Sequence, residues 1–209
     1  MGRDAADVVG NWNPIWEEVG PPAAPEPGKV STYARGAVLL QDCREVEDRG
    51  CGNRAFALHL AQWAPLCAYR GVDGSGAGGA DEVVDLLAYS RASDGVYMRH
   101  VLEHNLRWTE ILGHALNDFD RRLVLVLYTP TGGDERLLEW DTHADVPVLQ
   151  GLGATVRAML DAYGCAWREE TLPTGLRTGP ETVFDVARDA ALLDRAPEVL
   201  EVAAAGGVL

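Results

Sequence analysis

What this chain has little of narrows it first. Basic residues are scarce: 18 against 32 acidic ones, a net charge of −14. A surface that negative repels phosphate backbones and anionic headgroups, so neither a nucleic-acid nor a membrane partner is expected. No apolar run approaches the roughly 20 residues needed to span a bilayer. The opening residues Met1–Asp7 lack the apolar segment of a secretory signal, so the expected setting is cytoplasmic. Cysteine is sparse as well. Cys43, Cys51, Cys67 and Cys165 form no C-x-x-C pair and fit no zinc-module spacing. Ordinary packed thiols are expected, and no metal.

What is present suits one domain. The chain has 209 residues, 47% of them hydrophobic, enough to bury a sizeable core. Residues 1–30 stand apart. They carry Trp12 and Trp16, followed by the proline-rich stretch from Pro21 to Gly28, which cannot continue a helix. Residues 31–42 read as a helix capped by Ser31 or Thr32. Strand and helix then alternate. Arg44–Arg49 is predicted as a strand, Gly50–Gly52 as a tight turn, Ala55–Trp63 as a helix, and Ala68–Val72 as a strand ending at Asp73. A glycine-rich loop (Gly74–Gly79) leads to short strands in Asp81–Leu87 and Gly95–Met98. Leu102–Phe119 and Leu149–Tyr163 are predicted as helices, and Ala166–Leu172 and Thr182–Ala187 as closing strands. Arg122–Tyr128 is an unbroken apolar run, the pattern of a strand covered on both faces. The sum is an α/β class, a doubly wound, mostly parallel sheet.

Five motifs in chain order carry a family resemblance. They are Val46–Arg54 (VEDRGCGNR), Gly71-Val72-Asp73, Asp94–His104 (DGVYMRHVLEH), Arg121–Pro130 and Glu181–Arg188. Over roughly residues 40–190 the chain resembles the class I S-adenosylmethionine-dependent methyltransferases, of the type 11 kind. The resemblance implies a seven-stranded Rossmann-like sheet, with residues 1–30 as a lid or extension and 31–209 as the methyltransferase-like domain. It implies S-adenosyl-L-methionine as cofactor, held by Asp48, Gly50, Cys51, Gly52, Asp73, Asp85 and Arg99. Asp73 would take the ribose hydroxyls, Asp85 would approach the adenine, and the glycine turn would meet the methionine moiety. Glycines at a strand-to-helix turn admit a ligand close to the backbone, and the helix start favours an anion.

Two features depart from the family pattern. Arg54 stands at its third glycine, and Glu47 and Arg49 occupy a first strand that is normally apolar. Catalytic candidates are His100, at a strand end, and His143, with Asp141 as its orienting carboxylate. Trp12, Trp16 and Tyr33 are candidates to cover the cofactor. The segment His100–His104 also matches H-x-x-E-H, a zinc-protease pattern, but a strand end at His100 breaks the helical register that pattern needs. The expected function is methyl transfer to a small-molecule acceptor, such as a secondary metabolite or a sugar, with a homodimer as one possible assembly. The alternative is a methyltransferase-like protein that binds a ligand or catalyses another reaction.

Overall fold

A computed structural model describes residues 12–24, 31–142, 144–176 and 179–195. Its helices are α1 (Asn13–Val19), α2 (Thr32–Leu39), α3 (Ala55–Trp63), α4 (Trp108–Asp118) and α5 (Gly153–Ala162). The first five strands are β1 (Glu45–Arg49), β2 (Ala68–Asp73), β3 (Glu82–Val83), β4 (Ser93–Arg99) and β5 (Phe119–Leu127). Four more follow: β6 (Arg136–Asp141), β7 (Val146–Gln150), β8 (Ala166–Leu176) and β9 (Gly179–Ala187). Seven of the strands form one sheet in the order β3-β2-β1-β4-β5-β9-β8, and β6 and β7 form a separate hairpin. β3 through β5 run parallel, while β9 is antiparallel to both its neighbours. The sequence order reverses between β1 and β4, and a sheet of this kind opens a ligand crevice at that point, beyond the strand ends.

The alternation of side chains along β4, β5 and β9 sends two apolar sets to opposite faces. Val96, Met98, Leu123, Leu125, Leu127 and Phe184 pack under α4 and α5. Val46, Tyr97, Val124, Val126 and Val183 pack under α2 and α3, against Leu39, Phe56 and Leu60. Ser31 caps α2 as the sequence predicts, its side-chain oxygen accepting from the Tyr33 amide.

The charged first strand is accommodated by an internal network. Glu47 and Arg49 share the α4 side of β1, where residues 84–92 cross without forming a helix. Arg49 donates to Glu47 (2.9 Å) and to the Arg91 carbonyl (2.8 Å), pairs with Asp118 (2.9 Å), and lies over the Tyr89 ring. The other Glu47 oxygen accepts from the Tyr89 hydroxyl (2.8 Å) and from Arg91 (3.1 Å). A loop that brings polar groups thus replaces the apolar helix cover that would demand an apolar strand.

Two predicted helices are each divided. Leu102–His104 is a short 3-10 turn, α4 starts only at Trp108, and Phe119 already belongs to β5. Val146–Gln150 is a strand, and its helix starts at Gly153. Glu139–Asp141 is correspondingly the end of β6 in a hairpin with β7. The apolar residues there satisfy either period, and pairing with β6 selects the strand.

Candidate functional site

The carboxyl ends of β1, β2 and β4 border a cavity of about 260 Å³. Its floor is the turn after β1. Gly50 and Gly52 have φ of 80° and 51°, a region that suits glycine. The amides of Gly50 and Cys51 both reach the Val72 carbonyl, tying the turn to β2. A Cβ on Gly52 would stand 2.5 Å from the Trp16 ring, so glycine also lets α1 lie directly on the turn.

Three acidic residues lie on this side of the cavity. Asp73 closes β2 and accepts from the Gly52 amide (2.8 Å) and the Ser75 amide (2.7 Å). Burial raises its carboxyl, against the pull of those two amides. Asp48 is buried and accepts from the Tyr69 hydroxyl (2.9 Å). Burial pushes its carboxyl up to about 7 despite that bond. Asp85 is exposed at the rim and accepts from the Leu87 amide. The Cys51 thiol also lines the cavity, and burial pushes it far above the range in which a thiolate forms at neutral pH.

Arg54, the departure at the third glycine, precedes α3 in a left-handed conformation at φ 64°. Its side chain leaves the cavity, bonding the Gly79 carbonyl (2.9 Å) and Asp81 (2.8 Å) beside the Tyr69 ring. The backbone turn is therefore preserved without the glycine, and nothing crowds the floor.

The opposite end is built from β4, β9 and α2. Arg99 spends its guanidinium on the protein. Nε reaches Thr32 and Glu181, Nη1 donates to the Tyr33 hydroxyl (2.9 Å), and Nη2 pairs with Glu181 (2.9 Å). His100 follows in a left-handed conformation at φ 57° and sets Nε2 2.6 Å from Glu181 Oε1. Burial lowers its imidazole to about 4, against the opposing hydrogen bond to Glu181. Burial would raise Glu181, but the His100 bond and the Arg99 charge hold it at about 2. The pair is thus a neutral imidazole donating Nε2–H to a carboxylate.

His104 has both nitrogens committed, Nδ1 to the Pro147 carbonyl (3.1 Å) and Nε2 to the Tyr128 hydroxyl (3.3 Å). Because Leu102–His104 is a 3-10 turn after the left-handed His100, the two histidines share no α-helical face. Trp12 meets the His104 ring edge-on at 4.9 Å, and Trp16 stacks beside Trp12. Asn13 reaches Ser75 (2.5 Å), and Asn53 donates to the Gly20 carbonyl (3.2 Å). These contacts fasten α1 across the cavity.

All seven sequence-predicted cofactor residues and His100 therefore line one cavity. The second catalytic candidate, His143, lies outside the described residues. Sequence reasoning gave neither Tyr69 nor Glu181, the first residue of the last-strand motif, a role in the site. Glu181 sits 81 residues from His100, and no local pattern links them.

No protein-family model and no curated protein sequence matches the chain. Solved structures do match it. Magnesium protoporphyrin IX methyltransferase from Synechocystis PCC 6803, with bound SAH, is similar at 20% identity and a TM-score of 0.58, over 76% of this chain and 82% of that one. The chain has the class I methyltransferase fold. The 1,6-didemethyltoxoflavin-N1-methyltransferase of Burkholderia thailandensis matches at 14% identity and a TM-score of 0.57, covering 74% of this chain and 77% of that one. The [4+2]-cyclase SpnF matches at 14% identity and 0.58, covering 85% and 92%.

Proposed function

We propose that the protein catalyses S-adenosylmethionine-dependent methyl transfer to a small-molecule acceptor. The observation that carries this reading is the convergence of the Gly50–Gly52 turn with Asp48 and Asp73 on one cavity. The residues fit the cofactor by two tests. Among the described residues Asp48 has one hydrogen-bond partner, leaving its carboxylate able to receive the ammonium of the methionine moiety. The Trp16 Nε1–H is buried with no partner among the described residues, a donor suited to the carboxylate of the same moiety. Asp73 would accept the ribose hydroxyls, with Asp85 beside the adenine and Gly50, Cys51 and Gly52 against the methionine chain. Arg99 would act from the cavity wall, through the fixed positive charge beside Glu181.

When bound, the cofactor supplies a methyl group already activated by its sulfonium. The chain's part is then to hold the acceptor in line, to exclude water and to move a proton. Helix α1, with Trp12 and Trp16, acts as the lid. The expected setting is cytoplasmic, with a small molecule as partner and a homodimer as one possible assembly. Among the described residues no helix is long and apolar enough to cross a membrane.

Calorimetry with S-adenosylhomocysteine tests the reading. Micromolar binding is expected; no heat and no thermal shift at millimolar ligand overturns it. Asp73→Ala should weaken binding by about 2–4 kcal/mol, since charged hydrogen bonds are worth roughly 1.5–3 each and do not add fully. It should also lower the melting midpoint, because the Gly52 and Ser75 amides lose their acceptor. A second reading, a reaction other than methyl transfer, is supported by the likeness to the cyclase SpnF. Tight binding of the product analogue with no consumption of S-adenosylmethionine would select it.

A further inference from the structure

At the far end of the cavity from Asp73, the walls are aromatic and the charges are spent. Trp12, His104 and Tyr128 form a run of rings, with His104 and Tyr128 stacked at 5.6 Å and Tyr128 lying 4.7 Å from the His100 ring. Arg99 is the arginine lining this end; its charge is paired with Glu181, and its Nε and Nη1 also bond Thr32 and Tyr33. Both His104 nitrogens are taken. His100 is different. Its Nε2 is held by Glu181, and Nδ1 has no partner among the described residues, on a ring that lines the cavity.

Glu181 holds that arrangement firmly. It is 1% exposed, and its Oε1 also accepts from Thr32 (3.0 Å) and from Arg99. A carboxylate so placed is acceptor-only and forces the imidazole to carry its proton on Nε2. The groups facing His100 are then Glu181 from β9, Arg99 from β4, His104 from the 3-10 turn and Tyr128 after β5. None of them competes for Nδ1.

Resting on the proposed function, we propose that Glu181 is the positioning residue that keeps His100 Nδ1 as a base facing the cavity, and that the acceptor is an uncharged aromatic hydroxyl. A flat ring matches the aromatic walls. With the Arg99 charge paired to Glu181, no unpaired charge at this end among the described residues calls for a charged acceptor. A hydroxyl needs a base, which a thiolate or a free amine does not. The hydroxyl proton passes to Nδ1 as the oxygen bonds the methyl carbon and the hydroxyl turns acidic, so a weakly basic imidazole suffices, and the imidazolium is stabilised by Glu181. The acceptor oxygen bonds the methyl carbon as the carbon–sulfur bond breaks, its electron pair returning to the sulfonium sulfur. The proton then leaves His100 for solvent.

Two measurements test this. The first is the nitrogen-15 spectrum of histidine-labelled protein between pH 6 and 8, with and without S-adenosylhomocysteine. His100 should show Nε2 protonated and Nδ1 bare, and Glu181→Ala should lose that fixed tautomer. Should Glu181→Ala fail to fold, Glu181→Gln keeps an accepting oxygen and serves instead. It should retain the tautomer while kcat falls about 10- to 100-fold with KM nearly unchanged. An imidazolium, or a proton on Nδ1, at pH 7 overturns the proposal. The second measurement offers 2-naphthol, 2-naphthylamine and decahydro-2-naphthol with S-adenosylmethionine, products being read by mass. Methylation of 2-naphthol, at least 100-fold slower in His100→Ala, is expected. Equal methylation of the amine or the saturated alcohol, or no methylation of 2-naphthol, overturns it. The tautomer can be read without any cofactor. A wrong tautomer in a protein that binds S-adenosylhomocysteine therefore sinks this inference alone, whereas absence of that binding sinks the methyl-transfer reading.

Discussion

On β1, Glu47 and Arg49 point to one face of the sheet and Asp48 to the other, so a five-residue strand places charge on both sides. On the α4 side, Arg49 meets Glu47, Asp118, the Arg91 carbonyl and the Tyr89 ring, and Glu47 uses both oxygens. On the cavity side, Asp48 has one hydrogen-bond partner among the described residues, Tyr69. The difference separates two uses of buried charge. A network in which the donors meet acceptors costs little to keep and does no chemistry. A carboxylate left with spare capacity beside a cavity is costly when empty and is relieved by a ligand.

The largest effect should come from breaking the closed side. Arg49→Leu strips the buried Glu47 Oε1 and Asp118 of their shared cation and should cost about 3–5 kcal/mol in urea unfolding. The double variant Glu47→Leu/Arg49→Leu should recover most of that, because Asp118 keeps the Ser90 hydroxyl and the Arg91 amide. A double variant as unstable as the single one would mean that the network is not what accommodates these charges.

The open side should respond in the opposite sense, and with pH. Folded Asp48 keeps its proton up to about 7, whereas the unfolded chain releases it in the ordinary carboxylate range. Between those values the folded form binds the extra proton, so this group's contribution falls as pH rises. Asp48→Asn removes that penalty and should raise stability at pH 8 by about 2–4 kcal/mol, with a gain that shrinks toward pH 4. The same change should abolish cofactor binding. Glu47→Gln should lower stability at both ends of the range. Melting curves of the two variants at pH 5 and pH 8 make the test; a pH-independent shift in Asp48→Asn contradicts the assignment.

The smallest effect concerns the turn that continues the strand. Arg54 holds a left-handed conformation that costs a non-glycine residue about 1–2 kcal/mol. Its pairing with Asp81 is about one-third exposed and is worth a few tenths of that. Helix propensity alone would make Arg54→Gly destabilising. The left-handed backbone reverses the sign, and a gain of about 1 kcal/mol is expected. Affinity for S-adenosylhomocysteine should stay within about fivefold of the parent, since the side chain leaves the cavity. A loss of stability on thermal melting, or a hundredfold change in affinity by calorimetry, would show that this side chain serves the site.

The sequence by itself determined the chain order of the seven strands of the main sheet and the strand ends at which the cavity lies. Glycines at 50 and 52 and an aspartate closing β2 are local requirements of a strand-to-helix turn, so they can be read one residue at a time. The continuous apolar run of β5 is equally local, because burial on both faces leaves no alternation. Tertiary structure alone decided the rest. Val146–Gln150 became a strand because β6 was there to pair with it, a choice its apolar residues do not make. Glu47 and Arg49 were tolerable because Asp118, Tyr89 and Arg91 arrive from other elements. His100 is distinguished from His104 by what holds each ring, Glu181 from the last strand for one and the Pro147 carbonyl for the other. Pairings across 81 and 43 residues leave no periodic trace along the chain, since they depend on which strands lie side by side and not on the spacing between residues.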